Sequence, residues 1–118
     1  MKGFVFILAS VFLLGLASCK KCKNEDPRAR VVNGGSKNVS VHIATSGGNT
    51  ININNIDGGM TSEYRTYAEG EVEFTITIGN GGNTTTEVIK VTMENCYEYD
   101  INIDGNNQVT SVPTDRNE

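Results

Sequence analysis

With 118 residues, ten Lys and Arg against fourteen Asp and Glu, and a leader to set aside, the chain has enough length for one small domain. Tryptophan is absent and histidine occurs once, which leaves no material for a Ser-His-Asp or Cys-His catalytic set, so no enzymatic activity is expected. Cys19 to Arg30 is basic (Lys20, Lys21, Lys23, Arg28 and Arg30 against Glu25 and Asp26), whereas from Val31 on twelve carboxylates face only Lys37, Arg65, Lys90 and Arg116; such an acidic domain is repelled by nucleic acid.

Met1-Lys2 is a short positive start, and Phe4 to Leu14 is an apolar run broken only by Ser10. About eleven residues are too few for a spanning helix and suit a signal-peptide core. The run ends in Leu16-Ala17-Ser18-Cys19, which resembles the bacterial lipobox. That resemblance implies a diacylglyceryl thioether on Cys19, removal of residues 1–18 as a signal peptide, and acylation of the new amine. Two or three acyl chains anchor stably where one is marginal, at about 0.8 kcal/mol per buried methylene. The alternative is a plain secreted protein with a coincidental cysteine; leader length, cut-site residues and the polar switch at Lys20 favour the lipoprotein. Lys20 rather than Asp after the cysteine favours the outer membrane, and the basic residues suit anionic headgroups. The sequence leaves open whether the protein faces the periplasm or the exterior.

Residues 19–28 read as a polar tether, with Pro27 discouraging helix. With Cys19 acylated, Cys22 and Cys96 remain. They are either two thiols, with Cys96 a small buried hydrophobe, or a disulfide, which an oxidising compartment and even parity favour. Cys22 lies three residue steps from Cys19, about 10 Å at most, so a bridge would hold the Cys96 end of the domain near the lipid surface. Without it the chain could extend roughly 36–40 Å by Arg30.

From there the chain alternates in short segments. Ala29–Asn33 is a short strand and Asn33-Gly34-Gly35-Ser36 a turn. Lys37–Thr45 points Val39, Val41 and Ile43 one way and Ser40 and His42 the other. Thr50–Ile56 alternates through Ile51 and Ile53 before Asp57-Gly58-Gly59. Met60–Tyr67 is a weaker strand, expected at an edge with Tyr64 inward. Glu71–Ile78 is the strongest, with Val72, Phe74, Ile76 and Ile78 inward. After an Asn80-Gly81-Gly82-Asn83 hairpin loop come Thr84–Met93, then Cys96–Asp104 with Tyr97, Tyr99, Ile101 and Ile103 on one face, then Gln108–Val112 and a polar end expected to fray. About seven to eight short strands with regular turns and no helical period predict an all-β, two-sheet antiparallel sandwich over residues 29–118.

Several motifs point to chemistry and fall short of it. Asp100-Ile101-Asn102-Ile103-Asp104-Gly105 matches the opening of a calcium loop through Asp100, Asn102 and Asp104, but position twelve is Ser111, not a bidentate acid. Ile101 and Ile103 continue the apolar phase of the tyrosines, so a strand entering a turn is the expected reading, and no resident metal or cofactor is predicted. Gly79-Asn80-Gly81-Gly82 lacks the Lys-Ser/Thr and helix of a phosphate loop. Glu71 and Glu73 share a face, but a glycosidase pair needs a cleft that a thin sandwich rarely offers. His42 reads as a solvated side chain.

The order Ala29-Arg30-Val31-Val32-Asn33, Gly58-Gly59 with Tyr64 after it, Phe74-Thr75-Ile76-Thr77, and Tyr97 through Asp100 resembles small bacterial lipoprotein domains of unknown function, taken to be immunoglobulin-like or transthyretin-like sandwiches. That resemblance supplies no catalytic residues. The expected role is a lipid-anchored, non-enzymatic structural or protein-interaction module of the cell envelope, meeting an envelope protein or glycan through outward Thr and Asn rows. The alternative is a carbohydrate-binding surface module, for which Tyr64 or Tyr67 would have to supply the stacking platform.

Overall fold

The structure, a computed structural model, describes residues 22–117. Eight strands form two four-stranded sheets: β1 (Arg28–Asn33), β2 (Val39–Thr45), β3 (Thr50–Ile56), β4 (Arg65–Thr66), β5 (Gly70–Ile78), β6 (Thr85–Met93), β7 (Tyr97–Ile103) and β8 (Val109–Asp115). One sheet has the order β4-β1-β7-β8 and the other β3-β2-β5-β6. Hairpins join β2 to β3, β5 to β6 and β7 to β8, and the remaining connections cross between sheets.

Period-two patterning decides which side chains meet. β5 buries Val72, Phe74, Ile76 and Ile78; β2 buries Val39, Val41 and Ile43; β7 buries Tyr99, Ile101 and Ile103. These face one another across the sandwich with Ala29, Val31, Val91 and Met93, while Ile51, Ile53, Ile89 and Tyr97 pack at the margins. Burial of this branched apolar set is the main stabilising term.

Four details depart from the sequence reading. The sandwich is not wholly antiparallel: β1 runs parallel to β7, from Arg28 opposite Glu98 to Asn33 opposite Ile103. A parallel pair cannot close through a hairpin, and here the whole second sheet lies between its two strands in sequence. The Met60–Tyr67 segment pairs only at Arg65 and Thr66, apart from a bridge between Val32 and Thr61. In it Tyr64 is not the inward residue: Tyr67 is 3% exposed and meets the Phe74 ring edge-on at 6.4 Å. The two tyrosines are an odd number of residues apart, so an extended chain sends them to opposite faces. Finally, β8 runs on through Pro113 to Asp115 instead of fraying after Val112. A sheet edge tolerates proline because no partner strand needs its missing N–H.

Candidate functional site

The strand directions give the sandwich two ends. One carries Cys22, Cys96, the Thr45–Thr50 turn and the termini of the described chain; the other carries the loops 34–38, 57–61, 79–84 and 104–108.

At the first end Cys22 and Cys96 are joined by a disulfide with Cα atoms 5.8 Å apart. Cys96 also accepts Arg116 N–H at its carbonyl (2.8 Å) and donates its own N–H to Glu25 O (2.8 Å). It holds a φ of 66°, a left-handed conformation that costs a residue with a Cβ about 1–2 kcal/mol. One residue thus ties three chain segments together. Arg116 adds an ion pair to Glu25 Oε1 at 3.0 Å and a hydrogen bond to Asp26 O at 2.9 Å, and Tyr67 N–H donates to Pro27 O. Residues 22–27 are therefore pinned to the domain, and β1 starts at Arg28, one residue before the boundary read from sequence. Cys19 lies outside the described residues.

At the other end Asn33 is the buried polar residue, 1% exposed. Its Nδ2 donates to Lys37 O (2.7 Å) and Ile56 O (2.8 Å), and its Oδ1 accepts from Gly35 N–H (3.1 Å). Its main chain bonds Met60 O and Gly59 N–H. Gly58 passes so close that a Cβ there would stand 2.7 Å from the Ser36 carbonyl carbon. One amide side chain thereby closes two loops.

The outer face of the β4-β1-β7-β8 sheet is a ladder of charge. Arg28 pairs with Glu98 at 3.1 Å, and Arg30 meets both oxygens of Asp100, at 2.9 and 3.3 Å. Both guanidinium groups lie over the Tyr64 ring, 4.7 and 4.8 Å from its centroid, within cation–π range. The hydrogen bond that Arg30 donates to the Asp100 carboxylate holds the Arg30 pKa above its ordinary value, and burial raises that of Tyr64.

Two residues of the calcium motif have protein partners in this structure. Asp100 is committed to Arg30 and sits in mid-strand, while Asp104 Oδ1 accepts the Asn106 and Gln108 N–H groups at 2.8 and 2.9 Å, an Asx turn that closes the β7–β8 hairpin. Asp100 and Asn102 lie in the extended β7 strand and Asp104 just past its end, so the backbone does not wrap into a loop over these three residues.

The outer face of the other sheet carries hydroxyls and amides. His42 Nδ1 lies 2.8 Å from Asn52 Oδ1, beside a shallow depression of about 210 Å³ lined by Ser40, Asn52, Asn54, Thr75 and Thr77. No carboxylate lines it, so the imidazole has no acid partner there. A second open groove, about 350 Å³, runs between the β3 edge and residues 57–65, with Ile53, Ile56 and Met60 among its walls. The tyrosines are all engaged: Tyr64 under two arginines, Tyr67 in the core, and Tyr97 stacked on Tyr99 at 6.1 Å.

Sequence reasoning missed Asn33 because asparagine in Asn-Gly-Gly reads as a turn residue. The charge ladder did leave a signal: two cations two residues apart in one strand and two carboxylates two residues apart in another. No family model, curated protein or solved structure matches the chain.

Proposed function

We propose that this protein is a lipid-anchored module of the bacterial outer membrane that makes protein contacts and has no catalytic role. The observation that carries the reading is the disulfide between Cys22 and Cys96. It fixes one end of the sandwich three residues from the lipobox cysteine, an arrangement suited to presenting the remaining surfaces at a set height above a bilayer. Acylation of Cys19 supplies the anchor, and Lys20, Lys21 and Lys23 add attraction to anionic headgroups.

Of the two fold resemblances, the strand order favours the transthyretin-like one. An immunoglobulin sandwich sets its first and second strands side by side in one sheet, whereas here β1 and β2 lie in opposite sheets. Carbohydrate binding is the weaker reading, because each tyrosine ring is already engaged: Tyr64 by two arginines, Tyr67 in the core, and Tyr97 and Tyr99 by each other.

The test has two parts. Metabolic labelling with palmitate should mark the full-length protein and not Cys19→Ala, and the label should fractionate with outer membrane. Photo-cross-linking residues placed in turn on each face of the anchored protein in intact cells should give protein adducts from one contiguous surface. An unlabelled native protein contradicts the anchor, and the absence of adducts from every face contradicts the interaction role.

A further inference from the structure

A sheet edge is a row of unpaired backbone groups, and proteins blunt such edges with charge, proline, bulges or shortness. Three of the four edges here are blunted. β4 has two residues; β8 contains Pro113 and ends in Asp115; β6 carries Glu87 and Lys90. β3, Thr-Ile-Asn-Ile-Asn-Asn-Ile, has seven residues with neither charge nor proline. Its one irregularity is confined to the distal end, where the pairing slips between Val39 and Val41 and Asn55 holds a φ of 61°; Thr50 to Ile53 remain in unbroken register with β2. Beside this edge lies the 350 Å³ groove, where Met60 is 58% exposed. Asp57 and Glu63 line the same groove and neither is ion-paired among the described residues, which leaves it acidic despite Arg65.

From these features we propose that the β3 edge receives an extended segment of another envelope protein, added as a fifth strand. The segment alternates apolar with uncharged polar residues and carries a lysine or arginine at the end that meets Asp57 and Glu63. Apolar side chains would lie beside Ile51, Ile53 and Met60, and polar ones beside Asn52 and Asn54, the pocket-plus-main-chain logic of strand addition. Antiparallel addition, the slightly more stable sense, puts the basic residue at the start of the segment, because β3 runs toward Asp57. A second copy is the poorer occupant. Two-fold antiparallel pairing of β3 with β3 inverts one copy, and its Cys22 end then points away from the leaflet that holds the first. This inference deepens the protein-contact reading and rests on it.

The probe is a synthetic nine-residue peptide, one lysine followed by alternating valine and threonine, N-methylated on alternate residues to prevent self-association. Amide hydrogen exchange on the folded, oxidised protein should show new protection confined to β3 and the groove. Ile53→Lys, which points a charge inward at the edge, should weaken binding at least tenfold; Thr77→Lys, in the middle of the same sheet, should leave it unchanged. Asp57→Asn with Glu63→Gln should weaken it severalfold and flatten its salt dependence. The native exchange map decides the matter even if Ile53→Lys fails to fold. Absence of binding at millimolar peptide, protection elsewhere, or full binding by Ile53→Lys overturns the proposal. So does sedimentation showing a dimer that Ile53→Lys dissociates, since the occupant is then a second copy. Cross-links in cells from a face other than β3 overturn the edge proposal alone and leave the module reading standing.

Discussion

The two ends of this sandwich are closed by different physics. The cysteine end is held by a covalent bridge across 74 residues, two main-chain hydrogen bonds on Cys96, and an arginine clamp. The far end is held by one buried asparagine that satisfies three loop groups through its side chain. A covalent bond acts largely on the unfolded chain, whereas a buried amide acts wholly within the folded state, where each lost partner leaves a desolvated group. The end that the proposed anchor would load is therefore fixed by a constraint that does not depend on packing.

Breaking each closure in turn tests this contrast. The largest effect is expected from Cys22→Ala, which should lower unfolding free energy by about 4 kcal/mol in denaturant melts, because the bridge closes a long loop. Asn33→Ala should cost about 3 kcal/mol, through unsatisfied Lys37 O, Ile56 O and Gly35 N–H, and should speed exchange at the loops 34–38 and 57–61. A loss of under 1 kcal/mol for Asn33→Ala would show that this end is closed by something else.

The next effect depends on pH. Burial pushes the Tyr67 hydroxyl up to about 12. Its folded pKa thus exceeds the unfolded value near 10, so its contribution is fully present below pH 10 and is lost as pH rises toward 12. The loss across that window should reach about 2–3 kcal/mol, and Tyr67→Phe should remove that part of it while leaving stability at pH 7 nearly unchanged. Burial also raises Tyr99 and Tyr64, so a residual alkaline slope is expected in the variant. The smallest effect belongs to Arg116→Ala: Glu25 is largely exposed, and the pair should contribute about 1 kcal/mol or less, diminishing with salt.

How much of this was legible in the chain follows from what a period of two encodes. Alternation in Val72-Phe74-Ile76-Ile78 and in Tyr99-Ile101-Ile103 states which side chains point inward, and the structure buries them. Alternation says nothing about which strand lies beside which, so the parallel β1–β7 pair could not be read locally. The sequence reading turns Tyr64 inward, but Tyr67 is equally aromatic, and an extended segment can send only one of them to the core. The structure gives that place to Tyr67, and Tyr64 is held on the outside by Arg28 and Arg30. Asp100 matched a calcium loop by spacing, yet its fate was set by a cation seventy residues away. The fold joins Cys22 to Cys96, the pairing that the compartment and the cysteine count favour.

If Cys19 carries the proposed anchor, the bridge, and not the length of the tether, sets the height of the domain above the bilayer. Neutron reflectometry of the anchored protein on a supported bilayer measures the gap between headgroups and protein directly. Inserting twelve Gly/Ser residues after Lys21 lengthens the segment before the bridge, and should widen the gap by up to about 20 Å, the mean span of such a linker. The same insertion after Lys23 enlarges only the loop the bridge already closes, and should leave the gap at the native value of about 10 Å or less. Equal widening by both insertions would contradict the account, because the domain would then hang from a tether whose length alone sets its height.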